Sequence, residues 1–210
     1  MTRLAQTERA ALCDTALQVG EDQPTLCEGW DVKDLVVHLL VRESSPAAAG
    51  IIVKPLEGLL ERESRRVGRR PFHVLVERLR QGPPTWSPYA IPRLDRTLNT
   101  LEYFVHHEDV RRAQPGWSAR DLGADAEKLL WAMTRAAGKG LLRSAPVGVA
   151  IENATTGSTA ELKSGDTSVT VRGLPSEVTL FVFGRKEQAG VDLVGSDDDV
   201  ARLRGTSLGI

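Results

Sequence analysis

The chain predicts a mixed fold, with a helical module over residues 1–143 and a small α+β module over residues 144–210. Three observations carry this. Apolar residues recur at helical spacing through the first two-thirds of the chain. Near Val147 the pattern changes to short β-branched runs bounded by Gly, Ser and Asp, which is how strands read. The composition, 41% apolar and 26% charged, is that of a globular protein able to build a core without staples.

The elements follow in order. Arg3 to Val19 is amphipathic and ends near Gly20. "GWDVKDLVVHLLVRE" supplies a second helix, with Asp31 as N-cap, Asp34 in the first turn, and Val32, Leu35, Val36 and Leu39 on one face. "KPLEGLLERESRRV" and "PFHVLVERLRQG" are shorter helices, and the proline-rich stretch Pro83 to Pro92 is a loop. Arg93 to Ala113 is helical, closed by Pro115 and Gly116, and "GADAEKLLWAMTRAAGKGLLR" makes one more long helix. "VGVAIENA", "AELKSG" and "TSVTVRG" read as strands. "PSEVTLFVFGR" begins a helix near Pro175 or Ser176, "VDLVGS" is a strand and "SDDDVARLRG" a last capped helix.

Charge narrows the functional classes. Lys and Arg total 27 against 28 for Asp and Glu, a net charge of -1, so nothing global favours nucleic acid or an anionic membrane. Arginines cluster in Glu61–Arg70, which reads as a solvated helix face, with an anion or nucleic-acid patch as the minor alternative. The amino-terminal stretch has no apolar signal core, and no run approaches the ~18 apolar residues of a membrane span. A cytoplasmic setting is expected, with Cys13 and Cys27 reduced and buried as structural thiols. Neither has CxxC spacing, which argues against a cysteine-type zinc site.

The histidines carry the chemistry. On a wheel of about 100° per residue with Leu98 at zero, Leu94, Leu101 and Val105 form the buried stripe. Glu102 and His106 share its flank, and His107 faces away, toward solvent or the smaller module. His38 lies at the border of the second helix's buried face, one turn before Arg42. A buried-border carboxylate needs a partner, and a metal, an arginine or solvent would serve for Glu102. Glu102 and His106 at i, i+4, with His38 from another helix, give two nitrogens and one oxygen. Catalytic zinc uses such a set with an open fourth position, and Fe, Ni or Cu also suit it. His73 has no carboxylate partner and reads as core or surface.

Three segments resemble a known family. "LCEGWDVKDLVVHLL" (Leu26–Leu40) resembles the Gly-Trp-x-x-x-Asp-Leu-x-x-His segment of the mycothiol-dependent maleylpyruvate isomerase family. That family belongs to the DinB-like group of metal-binding four-helix bundles. "LEYFVHHEDVRRA" resembles its third helix, and "PSEVTLFVFGR" the Gly-Arg helix end of its sterol-carrier-like α+β module. The resemblance implies that His38, Glu102 and His106 ligate one divalent metal, most often zinc, and that Arg185 is the catalytic arginine. It assigns Trp30 and Asp34 structural roles, as a packed indole and a helix-start carboxylate. It also implies mycothiol as cosubstrate, with the metal lowering the thiol's pKa for attack on a small electrophile, in an S-transferase or an isomerase. Arg185, or Arg42 beside His38, would bind a carboxylate of substrate or cosubstrate. The run His106-His107-Glu108-Asp109 resembles a sub-branch described only as metal-binding, so maleylpyruvate itself is not implied. A non-enzymatic module is the alternative. Its metal would be structural or sensory, and an apolar ligand would lie near Leu180–Phe183. The expected partners are small molecules, without nucleic acid or membrane, in a monomer or homodimer.

Overall fold

A computed structural model describes residues 3–44, 57–85, 87 and 92–209, with only the backbone described at 3, 57 and 92–98. The described residues hold helices α1 (Arg3–Val19), α2 (Val32–Ser44), α3 (Glu57–Gly68), α4 (Phe72–Gln81), α5 (Pro92–Arg112), α6 (Ala124–Leu141), α7 (Pro175–Val182) and α8 (Asp197–Arg204). The strands are β1 (Gly148–Asn153), β2 (Thr159–Lys163), β3 (Ser168–Gly173) and β4 (Asp192–Val194). A helical part followed by an α+β part is the fold class the sequence predicts. Of the expected Pro83–Pro92 loop, residues 86 and 88–91 lie outside the described residues. No described helix is long and apolar enough to cross a membrane.

Two compact units divide at Ser118/Ala119. In the first, α1 packs on α4 and α5, and α2 on α3 and α4. Leu12 and Ala16 of α1, Leu35, Val36 and Leu39 of α2, and Leu75 and Leu79 of α4 share its core. Asp31 caps α2 as expected: its Oδ1 accepts the Asp34 N–H at 2.8 Å. The preceding loop turns tightly over Cys27–Trp30, where the Trp30 N–H donates to the Cys27 carbonyl at 3.0 Å. Gly29, third in that turn, sits at φ +77°, a conformation that side chains rarely adopt. The Leu26 N–H donates to the Asp109 carbonyl at 3.1 Å and ties this loop to α5.

α5 departs from a one-sided stripe. Leu101 and Val105 are buried as expected, while the side chains of Leu94 and Leu98 lie outside the described residues. From Leu101 to Val110, however, every residue is buried except Glu102 and His106. The polar members of that run meet polar partners. His107, expected to face outward, is buried, with Nδ1 2.8 Å from Glu8 Oε2 and Nε2 3.1 Å from Thr15 Oγ1 of α1. The helix wheel fails here because α1 presents a buried acid and a hydroxyl, which let an imidazole enter the core.

In the second unit the strand order is β2-β1-β3-β4. β1 runs antiparallel to β2 and parallel to β3, and β4 is antiparallel to β3. Val149 and Ile151 stand beside Val169 and Val171, and all four are fully buried on the face that joins the unit's core. The link from β2 to β3 crosses the start of β1, where Gly165 lies against Gly148. A Cβ on Gly165 would come within 2.5 Å of the Gly148 nitrogen.

The expected boundary near residue 143 is corrected. α6 belongs with the sheet, not with the preceding helices, because it packs on α7 and β2. Thr134 and Thr179 hydrogen-bond at 2.6 Å between α6 and α7, and Trp131 and Leu141 enter the second core. Glu127 also substitutes for a missing N-cap on α7, accepting the Ser176 N–H at 2.9 Å and its hydroxyl at 2.8 Å. Periodicity identifies a helix and its apolar face; it does not say what the face meets.

Candidate metal centre

His38 comes from α2, and Glu102 and His106 from successive turns of α5. Glu102 Oε1 lies 3.5 Å from His38 Nε2 and 3.3 Å from His106 Nε2. The imidazole rings meet edge to face, with centroids 5.6 Å apart. Donor atoms held about 2.0–2.2 Å from a tetrahedral ion are separated by about 3.3–3.5 Å, so the two N···O distances fit the spacing of ligands around one ion. Glu102 and His106 are 21% and 12% exposed, and they are the strip of the α5 run Leu101–Val110 that reaches solvent.

Arg42 lies beside this set. Its Nε lies 3.2 Å from Glu102 Oε1, and its Nη1 donates to Asn99 Oδ1 at 2.6 Å. The side chain is buried, so it steadies Glu102 from within the helix interface. Trp30, expected as a packed indole, is 36% exposed, and its ring lies 4.9 Å from that of His38. It forms a partly open apolar wall beside His38. Asp34 is exposed in the first turn of α2.

The other face of His106 holds groups that helix counting missed. His106 Nδ1 is 2.9 Å from Asp109 Oδ2, and the Cys27 thiol donates to the same oxygen at 3.2 Å. Cys27 Sγ is also 3.8 Å from His106 Nδ1. Cys27 is therefore half-buried at the centre rather than a plain core thiol, and Cys27, His106 and Asp109 form a second group with ligating atoms close together. The i, i+3 spacing of His106 and Asp109 was the available signal. Cys27 gave none, because a loop of the first unit brings it there. Cys13 does match the core expectation: it is fully buried, donates to the Val76 carbonyl, and burial pushes its thiol up to about 11.

The charges at the centre interlock. Burial would raise Glu102, but hydrogen bonds from His106 and His38 and the charge of Arg42 outweigh it and hold the carboxyl well below its ordinary range. Burial also opposes charge on His106, yet Asp109, Cys27 and Glu102 hold that imidazole well above its ordinary value. His38 is lowered, chiefly by burial and further by His106 and Arg42, against the pull of Glu102. The shifts thus favour charge on Glu102 and His106 and the neutral form of His38. Metal ligation requires the neutral form of both histidines.

The remaining candidates lie elsewhere. Arg185 belongs to the second unit, beyond the end of α7, and its Nη1 donates to the Phe183 carbonyl at 2.6 Å. His73 is on the surface of α4. In the arginine cluster, Arg65 and Arg66 pair with Glu61 and Glu63 of α3, as a solvated helix face does.

Two crystal structures are similar to this chain, each over 92% of it and 90% of the other chain. One is of a histidine-to-alanine mutant of the mycothiol-dependent maleylpyruvate isomerase, with a TM-score of 0.61 and 14% identity. The other is of the mycothiol-dependent maleylpyruvate isomerase, with a TM-score of 0.52 and 18% identity. At these identities the likeness is one of fold. No protein-family model and no curated protein matches the sequence.

Proposed function

We propose that the protein is an enzyme that holds one divalent metal on His38, Glu102 and His106 and uses it to activate a small thiol. The observation that carries this reading is the convergence of three ligating atoms, at 3.3 and 3.5 Å from oxygen to nitrogen, on a solvent-reaching strip of a buried helix. Fold likeness to a mycothiol-dependent isomerase supports mycothiol as the thiol, and S-transfer or isomerisation of a small electrophile as the reaction. Two imidazoles and one carboxylate suit zinc best, with Ni, Fe or Cu as other fits.

A metal bound there would lower the thiol's pKa and favour the thiolate nucleophile. The chain supplies the rest. Glu102 balances part of the cationic charge, and Arg42 restrains the carboxylate through Oε1. Trp30 covers one side of His38 and limits water there. Because Arg42 is bonded to Glu102 and Asn99, its role in this reading is to hold the ligand. Arg185 is the candidate for binding a substrate carboxylate. The protein acts in the cytoplasm on small molecules, without nucleic acid or membrane, as a monomer or homodimer.

The zinc-loaded protein, incubated with mycothiol or another small thiol and a panel of unsaturated acids and alkylating electrophiles, should show thiol-dependent turnover that His106→Ala abolishes. Loaded protein that consumes neither thiol nor electrophile would overturn the enzymatic reading. The non-enzymatic alternative drew on Leu180–Phe183. Leu180, Phe181 and Val182 are all fully buried, and Phe181 and Val182 pack into the second unit's own core, which argues against their holding an apolar ligand. A structural metal would make chelation lower the melting temperature sharply, and a catalytic one would not.

A further inference from the structure

We propose that Asp109 is the positioning residue of this centre: it holds the proton on His106 Nδ1, so that Nε2, the nitrogen facing Glu102 and His38, is the one that gives up its proton to a metal. The inference rests on the metal-centre reading and adds a residue to it. An ionised carboxylate can only accept hydrogen bonds, so the 2.9 Å contact between Asp109 Oδ2 and His106 Nδ1 requires the proton at Nδ1. The opposite nitrogen, Nε2, is the one that lies 3.3 Å from Glu102 Oε1. A carboxylate behind the distal nitrogen of a ligating histidine fixes both ring orientation and tautomer.

Asp109 is built for that task. It is fully buried, where a carboxylate is costly unless its oxygens accept hydrogen bonds. Oδ2 accepts a second bond, from Cys27 Sγ at 3.2 Å. The Asp109 carbonyl accepts the Leu26 N–H at 3.1 Å, so the loop that carries Cys27 is fastened to the residue whose side chain it caps. The thiol and the imidazole thus hold one carboxylate oxygen between them.

The competing use of these three residues is a second metal ion on Cys27, His106 and Asp109. The distances favour the first use. Both donors close on one oxygen, at 2.9 and 3.2 Å. A tetrahedral ion would hold its nitrogen and sulfur ligands about 3.3 and about 3.6 Å from that oxygen.

Nitrogen-15 NMR of the wild-type protein without metal should show a hydrogen-bonded, slowly exchanging His106 Nδ1 proton that persists as the ring titrates. Its absence would overturn the proposal whatever the protein does with metal. In chelator competition, Asp109→Asn should weaken zinc binding about tenfold to a hundredfold with the folded spectrum retained. Cys27→Ala should leave zinc affinity within about threefold and the Nδ1 proton in place. Wild-type zinc binding at one ion per chain, unchanged in Asp109→Asn, would refute the role of Asp109 and leave the metal-centre reading standing. A wild-type protein that binds no metal would refute that reading, while the NMR result still decides what Asp109 does to His106. With cobalt substituted, an intense near-ultraviolet thiolate band, or two ions per chain, would place Cys27 on metal and overturn the proposal.

Discussion

Loading the centre with zinc at pH 7 should displace about one proton. The count follows from the three groups as the metal-free protein holds them. Glu102 is already a carboxylate, because His106, His38 and Arg42 keep it well below its ordinary range. His38 is already neutral, its value lowered from 6.5. His106 alone is an imidazolium, raised well above 6.5 by Asp109, Cys27 and Glu102. The proton that leaves is the one on Nε2. Apparent zinc affinity should therefore rise about tenfold per pH unit through the neutral range, about 1.4 kcal/mol each, and more steeply below the titration of His38. Isothermal calorimetry in two buffers of different ionisation enthalpy gives the proton count directly. Zero protons at pH 7 would refute the charge assignment, and two would mean that His38 is also protonated. The same shifts act in opposite directions on the stability of the metal-free fold. His106 is raised, so its contribution is full below about pH 6.5 and lost as pH rises through its folded value. His38 is lowered, so its contribution is present above about pH 6.5 and lost as pH falls through its folded value.

Four further outcomes test the surroundings. His107→Ala leaves Glu8 buried without its imidazole partner and should cost about 3 kcal/mol in urea unfolding, with zinc stoichiometry unchanged. Gly165→Ala drives a methyl within 2.5 Å of the Gly148 nitrogen and should cost about 1–3 kcal/mol. Gly140→Ala, in helix α6 with nothing within 4 Å, should instead be neutral or stabilising by up to about 1 kcal/mol. An aromatic disulfide should label Cys27 in the folded protein and reach Cys13 only on unfolding, since Cys13 is fully buried with its thiol pushed up to about 11.

Much of the fold was legible because its elements announce themselves locally. Asp31 before an apolar-periodic run, Gly20 after another, Pro175 at a helix start and Ser196 ahead of three aspartates all mark ends that the structure keeps. What each helix packs against is a long-range property, and so α6 was assigned to the wrong unit. Helix spacing also brought Glu102 and His106 to one flank, and the structure adds His38 beside them. His107 misled because neither Glu8 nor Thr15, nearly a hundred residues earlier, marks itself in sequence as its partner. Cys27 was overlooked because the backbone bond from Leu26 to Asp109 that delivers it leaves no periodic trace.

The central claim is that His38, Glu102 and His106 hold one divalent ion. Elemental analysis of protein purified from metal-replete cells tests it most directly. The account predicts about one zinc or comparable ion per chain, falling to near zero in His38→Ala and His106→Ala with the folded spectrum retained. A wild-type stoichiometry near zero after zinc loading, or variants that keep the full complement of metal, would contradict it.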